Sequence, residues 1–224
     1  MKTLGKGVVS AALGLAAFGL MLFLPAWTFH YWQAWAFLAV FALSTWIPST
    51  YLLRTNPAAL ERRLRAGPFA ETRMLQKIII SVLLFSFAAM MVVSALDHRF
   101  GWSSVPTTVC LLGDVLVALG LGLAMLVIIQ NSYAAANITV EPEQKLVTTG
   151  LYGLVRHPMY VGNVILMLGI PLALGSYWGL LFLIPGLAAL VLRIRDEEQV
   201  LEHELAGYDE YRQKVHYRLV PFVW

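Results

Sequence analysis

The chain has 224 residues, 59% of them apolar and 13% charged, with a net charge of +3 and a mean hydropathy of +0.70. That balance excludes an ordinary soluble domain and points to a polytopic membrane protein folded as one structural domain. The single cysteine, Cys110, excludes an internal disulfide, and basic residues gathered in a few polar segments argue for membrane topology and against nucleic-acid binding.

Lys2 and Lys6 precede an apolar run from about Gly7 to Ala26. A signal peptide is the competing reading. The run is too long for a usual h-region and no small-x-small cleavage site follows, so an uncleaved first span is expected. Trp27, Tyr31, Trp32 and Trp35 mark an aromatic belt at the far interface. A second run, from about Trp32 to Leu53, returns the chain, with Pro48 as a kink.

Between Arg54 and Lys77, six basic residues face only Glu61 and Glu71. Asn56-Pro57 reads as a helix start, Leu60 and Leu64 lie one turn apart, and Gly67-Pro68 closes the segment. A short basic amphipathic helix on the membrane surface fits, in a positive-inside loop with no role in a site. A third span from about Ile78 to Leu96 leads into Asp97-His98-Arg99-Phe100-Gly101-Trp102, read as a compact polar turn. The fourth, from about Val105 to Gln130, contains Asp114. An acid there is costly in lipid, so pairing within the bundle or nearness to the interface is expected, with a direct role as the alternative.

Fifteen of the sixteen Lys and Arg residues fall on the N-terminal side of this layout and only Arg99 on the other. That bias puts both termini and the 54–77 loop in the cytoplasm. The polar connection 131–150, which includes Asn131, Asn137, Glu141, Pro142 and Glu143, is long for a compact protein unless it binds something or stays disordered. Its stretch Lys145 to Thr149 is suited to presenting backbone groups to a ligand.

In Arg156-His157-Pro158-Met159-Tyr160, proline favours the first helical position and disfavours helix in the residue before it. His157 should therefore end a loop and Pro158 open a helix, whose amides, with Arg156, would suit a carboxylate or phosphate. Two apolar pieces follow, Val161 to Gly175 and Trp178 to Leu192. Each is about 22 Å long as helix, against a hydrocarbon core of about 30 Å. They read as a tilted or re-entrant hairpin, leaving five or six crossings open. Arg193 to Ala206 then leaves the membrane as a charged helix stopped by Gly207. Arg193 and Glu197 share a face of it, with Glu198 one step round. The tail Tyr208 to Trp224 is suited to folding back as a lid.

There is no Gly-x-Gly-x-x-Gly after a strand and no P-loop. His203-Glu204-Leu205-Ala206-Gly207 fails the zinc pattern because glycine stands at the second histidine position, so no metal is expected. Spacing alone leaves two alternatives open at each remaining element. Arg193/Glu197/Glu198 is either a solvated helix face or a site, and Arg156-His157-Pro158 either an interface anchor or a site.

The run Gln144-Lys145-Leu146-Val147-Thr148-Thr149-Gly150-Leu151-Tyr152, then Arg156 to Gly162, then Arg193 with Glu197-Glu198, and finally Gly207-Tyr208 to Tyr211 and Arg218-Leu219-Val220-Pro221, resembles the isoprenylcysteine carboxyl methyltransferase family of integral membrane enzymes. Leu151 departs from the proline that commonly precedes the tyrosine there. The first half resembles bacterial members, which implies an inner-membrane location. The resemblance implies an all-α polytopic membrane bundle, with a four-helix scaffold over 1–130 and a cofactor-binding methyltransferase region, including the helical hairpin, over 131–224.

It further implies S-adenosylmethionine as methyl donor. Gln144, Leu146, Val147, Gly150, Tyr152, Arg156, His157, Tyr160, Glu197 and Glu198 would bind the cofactor, and Arg193 with Glu197 would act at the reacting groups. The partners implied are a lipophilic small molecule or lipidated substrate, such as an isoprenylcysteine carboxylate, and the membrane lipid itself. Two alternatives stand beside it. Membrane sterol reductases share a comparable Arg-His-Pro-x-Tyr element but use a nicotinamide cofactor, typically with Asn at the variable position, where this chain has Met159. The other is a non-catalytic membrane scaffold.

Overall fold

A computed structural model of the chain describes residues 2–65, 71, 73–134 and 144–224, and over these residues it is helical, without a strand. Eight α-helices follow in order: α1 (Lys2–Ala26), α2 (Trp32–Thr55), α3 (Pro57–Arg65), α4 (Met74–Phe100), α5 (Thr107–Gln130), α6 (Pro158–Ala173), α7 (Leu183–Glu204) and α8 (Tyr208–Lys214). Short 3-10 turns, Gly150–Gly153 and Trp178–Phe182, lead into the α6 and α7 regions. Helices α2, α4 and α5 and the stretch Trp178–Glu204 are long and apolar enough to cross a membrane, with shorter apolar helices at Ala11–Ala26 and Pro158–Ala173. The protein is an integral membrane protein. Leu20, Leu43, Phe85, Leu119 and Ile184 are exposed on its outer faces, as expected where lipid is the solvent. The interior is sealed by Leu22, Tyr31, Phe37, Met90, Val117, Met167 and Leu174.

The closest helix pair is α5 with α6, and glycines seven residues apart on each helix make it so. A Cβ at Gly120 would lie 2.7 Å from the Gly162 carbonyl oxygen, and one at Gly169 would lie 2.9 Å from that of Gly113. Small residues are what let two backbones approach in lipid, where helix association depends on packing. This contact holds α6 along α5 and so sets where its start, with His157 and Tyr160, stands.

At the far end of the bundle the structure corrects the expected polar turn. Asp97 to Phe100 continue α4, and the helix ends at Gly101, whose φ of 67° is left-handed. The acid is tolerated because it is fully paired. Its Oδ1 accepts from the Ser103 amide (2.6 Å), and its Oδ2 accepts from the Ser103 hydroxyl (2.6 Å) and the Ser176 hydroxyl (2.5 Å). Ser176 belongs to the hairpin turn, where Gly175 has a φ of +72° and the Tyr31 hydroxyl donates to the Leu174 carbonyl at 2.6 Å.

Pro48 lies inside α2, which runs on to Thr55. Two further expectations are revised. The charged helix is continuous with the second hairpin arm, because α7 runs from Leu183 to Glu204, and Gly207 (φ 82°) opens α8 instead of capping α7. Asp114 is buried, yet its Oδ1 has no hydrogen-bond partner among the described residues, so the expected pairing is not seen. Gly67-Pro68 and the loop residues Asn137, Glu141, Pro142 and Glu143 lie outside the described residues.

Candidate active site

Pro158 occupies the first turn of α6 and His157 is its N-cap, with non-helical φ and ψ of −125° and 62°. The C-terminal tail folds back onto this start. The Arg156 amide donates to the Tyr217 carbonyl (2.9 Å) and the His157 amide to the Arg218 carbonyl (3.0 Å). The Arg156 guanidinium donates through Nε to Glu198 Oε1 (2.8 Å) and through Nη1 to the Val215 and His216 carbonyls (2.9 and 3.0 Å). His157 Nε2 lies 3.1 Å from the same Glu198 oxygen, and Arg218 Nε donates to the other at 2.8 Å.

Glu198 is therefore the junction of α6, α7 and the tail. The charge of Arg156, expected to face an external anion, is engaged by Glu198 and tail carbonyls. A buried guanidinium is stable only when its donors are matched in this way. The solvated-face alternative for α7 is also set aside, since Arg193, Asp196 and Glu198 are 4%, 5% and 3% exposed.

A second group lies beside the first. The Tyr160 hydroxyl donates to Glu197 Oε2 and accepts from Arg193 Nε at 3.0 Å. Arg193 Nη1 donates to Gln76 Oε1 (2.5 Å), and Nη2 lies 3.5 Å from Glu71. Gln76 Nε2 donates to Asp196, whose two oxygens also take the forked guanidinium of Arg73 at 2.5 and 2.9 Å. The end of the 54–77 loop thus reaches α7, contrary to the reading that gave it no part in a site. One sequence signal was available. Gln76 is a polar residue at the head of an apolar span, a position that usually has a partner inside the bundle.

A third group comes from the connection before α6. Gly150 takes a left-handed φ of +62° over the Gln130 side chain, which accepts from the Leu151 amide at 3.0 Å. Asn131 Nδ2 donates to the Tyr152 hydroxyl (3.1 Å), and the Tyr211 hydroxyl donates to the Tyr152 carbonyl (2.7 Å). Leu146 and Tyr152 pack on Leu205, Tyr208 and Tyr211. Gln144 and Val147 are half-buried in the same stretch.

Burial, with the nearby Glu197 charge, pushes the Tyr152 phenol up to about 12, so it stays protonated at neutral pH. Burial and the Glu198 and Glu197 charges likewise hold the Tyr208 phenol well above its usual range. The Tyr208 hydroxyl is buried and has no hydrogen-bond partner among the described residues, although buried hydroxyls are normally paired. Tyr208, Gln76, Gln130 and Asp196 were not among the candidate site residues read from the sequence, and Asn131 was named there only as part of the polar connection. Among the described residues no three His, Cys, Asp or Glu side chains converge as a metal site requires.

Residues 108–206 match the family model described as phospholipid methyltransferase. The Delta(14)-sterol reductase TM7SF2 of Mus musculus is 34% identical over 84 residues, covering 36% of this chain. The chain spans about a fifth of the length of that curated relative, 20%. The family match contains α5, α6 and α7, and with them Tyr160, Arg193, Glu197 and the Arg156–Glu198 junction. Over this region, which holds α5, α6 and α7, the chain is similar to the phospholipid methyltransferase family.

Proposed function

We propose that the protein is an integral membrane methyltransferase that uses S-adenosylmethionine and methylates a lipophilic acceptor, with the site at the cytoplasmic end of the bundle. The observation that carries this reading is the pair of adjacent glutamates with different surroundings. Glu198 is locked by Arg156, His157 and Arg218. Glu197 is only half-buried, and it has Tyr160 as hydrogen-bond partner on one oxygen. Glu197 is thus the acceptor available to an ammonium or to ribose hydroxyls, and the Tyr208 hydroxyl, without a partner among the described residues, is a donor for a ligand acceptor. These groups fit the polar parts of the cofactor, and the half-buried Leu146, Val147 and Tyr152 fit its adenine.

When bound, the cofactor supplies an electrophilic methyl group on sulfonium. The work left to this chain is positioning and exclusion of water. Tyr160 holds the Glu197 carboxylate, while Arg193 holds Tyr160. A carboxylate acceptor needs no general base. The acceptor class that fits is an isoprenylcysteine-like carboxylate or another small lipid-soluble group, entering sideways from the bilayer. The charge bias supports cytoplasmic termini, and the resemblance to bacterial members supports an inner-membrane location.

The sterol reductase match supports a second reading, NADPH-dependent reduction at the same place. The phospholipid methyltransferase match over residues 108–206 favours the first. Calorimetric titration of the detergent-purified protein with S-adenosylmethionine, S-adenosylhomocysteine and NADPH, with Glu197→Gln in parallel, tests both. Binding of the adenosyl compounds that weakens in the variant supports the methyltransferase. NADPH binding alone replaces it with the reductase.

A further inference from the structure

We propose that Gln76, contributed by the first half of the chain, is a positioning residue that sets the orientation of Arg193, and through Tyr160 that of Glu197. The inference rests on the methyltransferase reading above. Gln76 is fully buried at 0% exposure, in the first turn of α4. Its two ends do different things. The carbonyl accepts from Arg193, and the amide donates to Asp196.

Arg193 and Asp196 are three residues apart on α7, a spacing at which a cation and an anion on one helix pair directly. In this structure they do not. Gln76 stands between them and satisfies each with the opposite end of one neutral amide. Arg73 takes both oxygens of Asp196 from the other side. Arg193, which also lies 3.5 Å from Glu71, keeps its Nε on the Tyr160 hydroxyl, which donates to Glu197.

Loss of the amide removes that separation. Arg193 then has Asp196 as a competing partner, and the Tyr160 hydroxyl that donates to Glu197 is drawn on by a less firmly placed donor. A glutamine is chemically suited to this place because one neutral side chain meets both a buried cation and a buried anion without adding charge. Leucine or methionine of similar bulk would fill the volume and make neither bond.

The test uses the full-length protein in detergent, with S-adenosylhomocysteine affinity measured by calorimetry well below each variant's melting temperature. Gln76→Met is expected to weaken affinity at least tenfold. The pair Gln76→Glu with Asp196→Asn rebuilds the relay with its polarity exchanged: the new carboxylate accepts from Arg193 and from the new amide, while Arg73 keeps the one remaining carbonyl oxygen at 196. This pair is expected to bind within threefold of wild type, and it decides the matter if Gln76→Met does not fold. A folded Gln76→Met with wild-type affinity, whatever its melting temperature, overturns the proposal. So does a folded double variant that binds as poorly as Gln76→Met. Wild-type protein that binds NADPH and not S-adenosylhomocysteine overturns the methyltransferase reading alone, and the same variants then read the relay with NADPH. Wild-type protein that binds neither overturns both, because no site is left for Gln76 to position.

Discussion

Two glutamates adjacent in sequence should fail in opposite ways when each is changed to glutamine. Glu198 is 3% exposed and holds three cationic or polar side chains, Arg156 and His157 on one oxygen and Arg218 on the other. Glu198→Gln keeps the shape, but leaves the 4%-exposed Arg156 side chain without its counter-charge and points an amide at one of its neighbours. Removing one partner of a buried ion pair costs about 3–5 kcal/mol. Arg218, whose side chain is 30% exposed, adds little to that. For a domain of this size each kcal/mol moves the melting temperature by about 2–4 °C, so a fall on the order of 10 °C is expected. Glu197→Gln disturbs one half-buried hydrogen bond, from Tyr160, worth about 1 kcal/mol. It should melt within a few degrees of wild type and lose S-adenosylhomocysteine binding. Thermal unfolding in detergent, followed by calorimetry on whatever remains folded, reads both. A Glu198→Gln protein that melts like wild type, or a Glu197→Gln protein that collapses, would refute the division of labour between structural junction and ligand contact.

Three other outcomes can be checked with the same preparations. Tyr208→Phe removes a buried hydroxyl that has no partner among the described residues, so stability should hold or rise slightly, by about 1 kcal/mol at most. Its S-adenosylhomocysteine affinity should fall about tenfold, the loss of one ligand hydrogen bond of about 1.4 kcal/mol; unchanged affinity removes Tyr208 from the site. Gly120→Val should destabilise the bundle by about 1–3 kcal/mol through overpacking against the Gly162 carbonyl. Gly122→Val, where a Cβ meets nothing within 4 Å, should leave the melting curve nearly unmoved, and equal effects at the two positions would contradict the α5–α6 contact. Asp97→Ala leaves the Ser103 amide and the Ser103 and Ser176 hydroxyls without their acceptor, so the melting temperature should drop clearly. Because Asp97 lies at the opposite end of α4 from Gln76, protein that remains folded should bind S-adenosylhomocysteine with wild-type affinity.

The amino-acid sequence by itself determined the helical membrane architecture, because a run of about twenty apolar residues has few alternatives to a spanning helix. It also determined the start of α6, since Pro158 disfavours helical geometry at His157 and its ring favours the first turn of a new helix. The motif residues Arg156, His157, Tyr160, Arg193, Glu197 and Glu198 were legible as a set through their order along the chain. Their individual partners were not. Whether Glu198 meets a ligand or Arg156 depends on where α7 and the tail lie relative to α6, and hydrophobic periodicity carries no information about contacts 42 or 20 residues apart. Gln76 shows the limit most plainly. Its partners are 117 and 120 residues away, on a helix that reaches it only after the α5–α6 glycine contact and the hairpin turn have brought α7 against α4. Local propensity chose the helices, while the burial of charge among distant elements, which must be matched group by group, decided which side chains form the site.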